Sequence, residues 1–210
     1  MRTSRFLALG DSYTIGEAVD ARARWPMQLV ARLRERDIAI DDPQIIAVTG
    51  WTTDELAAAM DHAQFDPPYA LVSLLIGVNN QYRGRDLRQY AQQFDALLRR
   101  AIDLAGNDPT RVLVVSIPDW GATPFGHASG RDLAGVSAQI DAFNAAAREH
   151  VIQRGAYWID ITPISRDAAH DPALTAPDGL HPSAAMYARW VDLIAPVAQR
   201  RLAADTAPRR

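Results

Sequence analysis

Phe6-Leu7-Ala8-Leu9-Gly10-Asp11-Ser12-Tyr13-Thr14-Ile15-Gly16-Glu17 decides how the chain is read. Four apolar residues in a row suit a strand buried on both faces, as in a parallel sheet. Gly-Asp-Ser then breaks the run at a strand-to-loop switch and leaves a hydroxyl beside the end of the strand. A free serine is a poor nucleophile at neutral pH. It needs a base within hydrogen-bond reach and a third group to hold that base. Asp178-Gly179-Leu180-His181-Pro182, near the other end of the chain, carries both side-chain types three residues apart. Ser12, Asp178 and His181 are therefore the candidate catalytic set.

Four further segments have the composition of the first strand. Ile45–Val48, Tyr69–Ile76, Val112–Ser116 and Tyr157–Ile161 are short and rich in β-branched or aromatic residues. Helical spacings lie between them. Trp25, Leu29, Val30 and Leu33 share one face, as do Leu56 and Met60. Leu87, Tyr90, Phe94, Leu97 and Leu98 recur near 3.6, and so do Val136, Ile140, Phe143, Ala147 and Val151. A last helix carries Tyr187, Trp190, Val191, Ile194 and Val197. This alternation predicts an α/β fold with a five-stranded parallel sheet covered on both faces. One domain is expected over 1–210, with 203–210 as a frayed tail. The stretch from Pro118 to Gly135 reads as a long strand-to-helix loop carrying Trp120, Phe125 and His127.

Composition narrows the chemistry. The 210 residues are 48% hydrophobic, enough for a sizeable core. The formal charge of -3 argues against a nucleic-acid surface. All 22 basic residues are arginine, so Walker-lysine, Schiff-base and Ser-Lys chemistries have no residue to use. Cysteine is absent, which removes disulfides, thiolate catalysis and cysteine zinc sites. None of the five histidines stands in a His-x-x-x-His or His-Glu-x-x-His pattern. No metal or cofactor is expected. The longest apolar run, Ala70–Val78, is too short to span a bilayer. Met1-Arg2-Thr3-Ser4 leads straight into the first strand, so a cytoplasmic protein is expected. Oligomeric state is not written in the sequence.

In an open parallel sheet, ligands bind outside the carboxyl ends of the strands. Ser12 follows the first strand, Gly50 the second, Asn79 the third, and His181 the fifth after a loop. Each has a plainer reading. Ser12 and Asp178 could cap helices, Gly50 could serve a turn, Asn79-Asn80 could be a turn pair, and His181 could be an exposed loop residue. Their convergence on one edge favours a site.

Gly10-Asp11-Ser12, Gly50, Gly77-Val78-Asn79 and Asp178-x-x-His181 resemble, in order, the four blocks of the SGNH, or GDSL-type, hydrolases. That resemblance implies a flavodoxin-like three-layer α/β/α sandwich. It also implies an oxyanion hole made by the Ser12 and Gly50 N–H groups and the Asn79 side-chain amide. The third block of the family often reads Gly-x-Asn-Asp, whereas this chain has Asn80 in the last place.

The expected activity is hydrolysis of small or short-chain carboxylic esters through an acyl-enzyme. A thioesterase, a lysophospholipase-like enzyme or an acyltransferase would use the same triad. A non-catalytic binding domain on the same scaffold is the reading from another class. Trp51, Tyr82, Trp120 and Phe125 are candidate walls of the substrate pocket, since all lie near the same edge.

Overall fold

The computed structural model describes residues 3–206. Its five strands are β1 (Phe6–Gly10), β2 (Gln44–Ala47), β3 (Leu71–Leu75), β4 (Val112–Val115) and β5 (Tyr157–Ile159). They form one parallel sheet in the order β2-β1-β3-β4-β5. β1, β3 and β4 are buried along their whole length, which is why they read as unbroken apolar runs. The edge strands β2 and β5 are partly exposed.

Nine helices lie between and beyond the strands among the described residues: α1 (Ser12–Ile15), α2 (Trp25–Arg34), α3 (Thr53–His62), α4 (Val78–Tyr82), α5 (Leu87–Leu104), α6 (Pro124–Ala128), α7 (Leu133–Arg154), α8 (Thr162–Ser165) and α9 (Ala184–Thr206). α2 packs on α9. α5 packs on both α3 and α7, giving the sheet its second covering layer. The faces inferred from periodicity are the buried ones in α2, α3 and α7. Leu87 departs from its set: it opens α5 and is exposed. Local chemistry sets the helix ends. Asp86 caps α5 by accepting from the Gln89 N–H, and Gly155 closes α7 in the left-handed conformation.

Two expectations change. The stretch after β4 is largely ordered. Trp120–Ala122 form a 3-10 turn, α6 follows, and α7 begins at Leu133. The Asp119 carboxylate accepts from the Gly121 N–H, Thr123 caps α6, and Pro124 occupies its first turn. Elements this short carry no periodicity, so the sequence reads as loop. At the end of the chain, α9 continues to Thr206, into the segment expected to fray. Residues 207–210 lie outside the described residues.

Register positions the site. Gly10 of β1 pairs with Ala47 of β2 on one side and with Leu75 of β3 on the other. The chains leaving these three strands therefore emerge level with one another. The connection from β1 runs outward to β2, and the next returns to β3 on the opposite side of β1. This reversal opens a crevice at the carboxyl edge.

Candidate active site

Ser12 is the first residue of α1, and the cap is its neighbour. The Asp11 carboxylate accepts from the Tyr13 N–H at 3.0 Å, so Ser12 is not needed as a cap. Gly16 ends the helix after one turn in the left-handed conformation. Asp11 itself is fully buried, and burial pushes its carboxyl up to about 7 against the hydrogen bonds that oppose the shift.

His181 and Asp178 form a closed local unit. Asp178 Oδ1 accepts from the backbone N–H groups of Leu180 (2.9 Å) and His181 (3.0 Å), and Oδ2 lies 2.6 Å from His181 Nδ1. A carboxylate accepts, so Nδ1 carries the proton and Nε2 is the basic nitrogen. Partial burial works to raise the Asp178 carboxyl, but the imidazole and the two N–H donors outweigh it and hold it below the usual range. The His181 ring is buried 5.4 Å from the Tyr13 ring, centre to centre. Its carbonyl accepts from Ala176 N–H at 2.7 Å, and Phe125 N–H bonds the Gly179 carbonyl at 2.9 Å. Asp178 caps no helix; α9 begins beyond Ser183, whose hydroxyl accepts from Met186 N–H.

The loops after β2 and β3 are tied to each other. Gly50 has φ +87, which favours glycine. Asn79 of α4 and Arg83, which follows the helix, hold this turn: Asn79 Nδ2 donates to the Trp51 carbonyl at 2.9 Å, and Arg83 donates to the Gly50 carbonyl at 2.5 Å. Asn79 Nδ2 also lies 3.5 Å from Asp11 Oδ2. Asn79 is helical. The unusual backbone belongs to Gly77, at φ +131, where a Cβ would meet the Tyr90 ring at 2.6 Å.

Ser12, Gly50, Asn79 and His181 line one cavity of about 190 Å³. Tyr82, Trp120 and Phe125 form much of its apolar wall. Trp120 is 2% exposed, its indole N–H donates to Gln81 at 2.8 Å, and its ring lies between Tyr82 and Phe125. Tyr82 and Phe125 are 39% and 36% exposed and form the rim. Trp51 is the exception among the candidate walls. Its side chain packs against the core and is not among the cavity's lining residues, while its carbonyl accepts from Asn79.

Sequence reading missed Tyr13, Thr49, Val78 and Leu180, which also line the cavity. Each neighbours a residue or block already singled out, and adjacency was the only signal. Among the described residues, no group of three or more His, Asp or Glu side chains could hold a metal ion. No helix among them is long and apolar enough to cross a membrane.

Residues 8–189 match the GDSL-like lipase/acylhydrolase family. The chain belongs to that family. It is thus a hydrolase of ester bonds. Solved structures share its fold at low identity. TesA is 19% identical with a TM-score of 0.73, over 94% of this chain and 99% of that one. The psychrotrophic esterase EstA from Pseudoalteromonas sp. is 16% identical with a TM-score of 0.68, over 95% and 99%. Axe2, an acetylxylan esterase from Geobacillus stearothermophilus, is 17% identical with a TM-score of 0.66, over 95% and 94%. No curated protein matches the chain.

Proposed function

We propose that this GDSL-family enzyme cleaves small or short-chain carboxylic esters by an acyl-enzyme mechanism with Ser12 as nucleophile. The observation that carries the reading is the 2.6 Å contact between His181 Nδ1 and Asp178 Oδ2, on a ring that lines the same cavity as Ser12. It leaves Nε2 as a proton acceptor. Ser12 Oγ attacks the ester carbonyl while His181 takes its proton. The imidazolium that forms is stabilised by Asp178 and returns the proton to the departing alcohol. Water then attacks the acyl-Ser12 carbonyl by the same route, releasing the acid and the free serine.

The tetrahedral intermediate carries a negative oxygen that needs donors. The Ser12 and Gly50 N–H groups and the Asn79 amide are the proposed set. Asn79 Nδ2 has two hydrogens. One goes to the Trp51 carbonyl, and the other is directed only weakly, over 3.5 Å, at Asp11. It is therefore available to a developing oxyanion at small cost. A donor of this kind is typically worth about 3–4 kcal/mol of barrier.

The cavity volume supports a small acyl or alcohol group, because about 190 Å³ between aromatic walls leaves little room for a long chain. The test is direct. Ser12→Ala should fold with an unchanged thermal midpoint and lose nearly all p-nitrophenyl acetate hydrolysis, and a fluorophosphonate should label Ser12 alone. Label on another residue, or turnover surviving in the variant, would refute the assignment.

A further inference from the structure

Of the three oxyanion donors proposed above, the Gly50 N–H has the least to hold it from within its own loop. Trp51 N–H closes the turn onto the Val48 carbonyl at 3.3 Å, a long bond for an N–H donor. Gly50 itself has no side chain to pack and the widest backbone freedom of any residue type, here used at φ +87. A donor aimed at a developing charge must nevertheless stay within about 0.5 Å of its productive position.

The restraint comes from outside the turn. Thr49 donates its hydroxyl to Glu17, just beyond α1, and the Trp51 carbonyl accepts from Asn79 in α4. Between these two ties stands Gly50, whose carbonyl accepts from Arg83 Nη2 at 2.5 Å. This bond is short and charge-assisted, the stronger class of hydrogen bond, and it outweighs the turn's own closure. Arg83 is in turn well located. Its N–H donates to the Asn79 carbonyl at 3.0 Å, and its Nη1 donates to Glu55 Oε1 at 3.2 Å. The other Glu55 oxygen accepts from the Thr52 N–H at 2.8 Å, so the residues that follow the turn brace the guanidinium. Arg83 is exposed and is not among the lining residues of the catalytic cavity, whereas Gly50 is. Its route to the chemistry runs through Gly50.

We infer that Arg83 is a positioning residue for the oxyanion hole: by holding the Gly50 carbonyl, its guanidinium keeps the Gly50 N–H in place for the tetrahedral intermediate. The inference rests on the ester-hydrolase reading above and adds to it a residue that none of the proposed catalytic roles includes. Losing a whole oxyanion donor costs about 10²–10³ in kcat. Losing the anchor of one leaves the donor present but loosely aimed, so a smaller loss is expected.

The test compares wild type, Arg83→Met and Arg83→Lys on p-nitrophenyl acetate, with thermal melts to establish folding. Methionine keeps much of the stem without a donor. Lysine keeps a single donor for the Gly50 carbonyl but cannot also fork to Glu55. Arg83→Met should lower kcat by about 10- to 100-fold with KM changed less than about threefold, the pattern of an interaction realised in the transition state. Arg83→Lys should recover a large part of that loss. The ratio of wild-type to Arg83→Met rates should also hold between about 0.05 and 0.5 M NaCl, since a bond that sets a position is not screened as a distant charge is. A kcat for folded Arg83→Met within about threefold of wild type, or a change confined to KM, would overturn the inference and leave the Ser12 reading standing. So would a folded Arg83→Lys no better than Arg83→Met, or a ratio that collapses in high salt, which would mark a through-space field instead. Hydrolysis surviving in Ser12→Ala would strike the underlying reading.

Discussion

Asn80 and Thr53 hold each other by two bonds: the Asn80 carbonyl oxygen accepts from the Thr53 N–H at 3.0 Å, and its amide donates to Thr53 Oγ1 at 2.7 Å. Both residues are buried. Thr53 opens α3, the helix after the Gly50 turn, and Asn80 belongs to α4, which carries Asn79. The position where the family often has an aspartate thus joins two of the site's loops through a neutral pair. An amide does both jobs there, since it accepts and donates at once.

This pairing separates two neighbouring asparagines. Asn80→Ala should lower stability by about 1–3 kcal/mol, because it leaves a buried Thr53 N–H without a partner. Its kcat should fall only modestly. Asn79→Ala should do the reverse, with kcat down about a hundredfold or more and KM changed much less. Urea unfolding and steady-state kinetics on both variants decide it. Equal kcat losses would show that the two residues are not divided in this way.

Asp178→Asn removes the charge facing the imidazole while keeping the side chain's size. The amide can also present an N–H to Nδ1, which would favour the wrong tautomer. Turnover should drop by about 10³–10⁴ with the fold intact. Circular dichroism and p-nitrophenyl acetate kinetics suffice, and a loss of less than tenfold would remove Asp178 from its role.

Two carboxyls, Asp11 beside Ser12 and Asp178 beside His181, respond to pH with opposite sign. Asp11 has its carboxyl raised to about 7 by burial, so the folded state holds that proton more tightly than the unfolded chain. Its contribution is full below the ordinary carboxylate value of about 4 and is lost as pH rises toward 7. Asp178 is lowered, chiefly because the His181 bond and two N–H donors outweigh burial. Its contribution is present above about pH 4 and is lost on acidification through its lower folded value. Asp11→Asn should therefore flatten the decline in thermal midpoint between about pH 4 and 7, and Asp178→Asn should soften the decline below it. Midpoints recorded from acid to mildly alkaline pH would show parallel curves for wild type and Asp11→Asn if this account is wrong.

Trp120 and Phe125 differ as probes of the cavity wall. Trp120 is buried and hydrogen-bonded, so Trp120→Ala should cost about 3–5 kcal/mol of stability as well as altering the wall. Phe125 stands at the rim, and Phe125→Ala should broaden tolerance for bulkier esters with a far smaller stability loss. Thermal melts paired with an ester series would contradict this ranking if Phe125→Ala proved the less stable protein.

The sequence by itself determined the α/β alternation, because central parallel strands must be apolar on both faces and covering helices on one. It also determined which residues to suspect: Ser12, Gly50, Asn79 and His181 each follow a strand, and parallel strands deliver their carboxyl ends to one edge. The contact between Asp178 and His181 was legible too, since a separation of three residues lets one turn close it. Tertiary structure alone decided the rest. It fixed the register that sets Gly10 level with Ala47 and Leu75. It packed Trp51 against the core, buried Trp120 against Gln81, paired Asn80 with Thr53, and put Tyr13, Trp120 and Leu180 on the walls of two cavities. These facts depend on side chains far apart in the chain meeting at close range. Neither periodicity nor spacing encodes which of two adjacent residues faces a cavity and which faces the core.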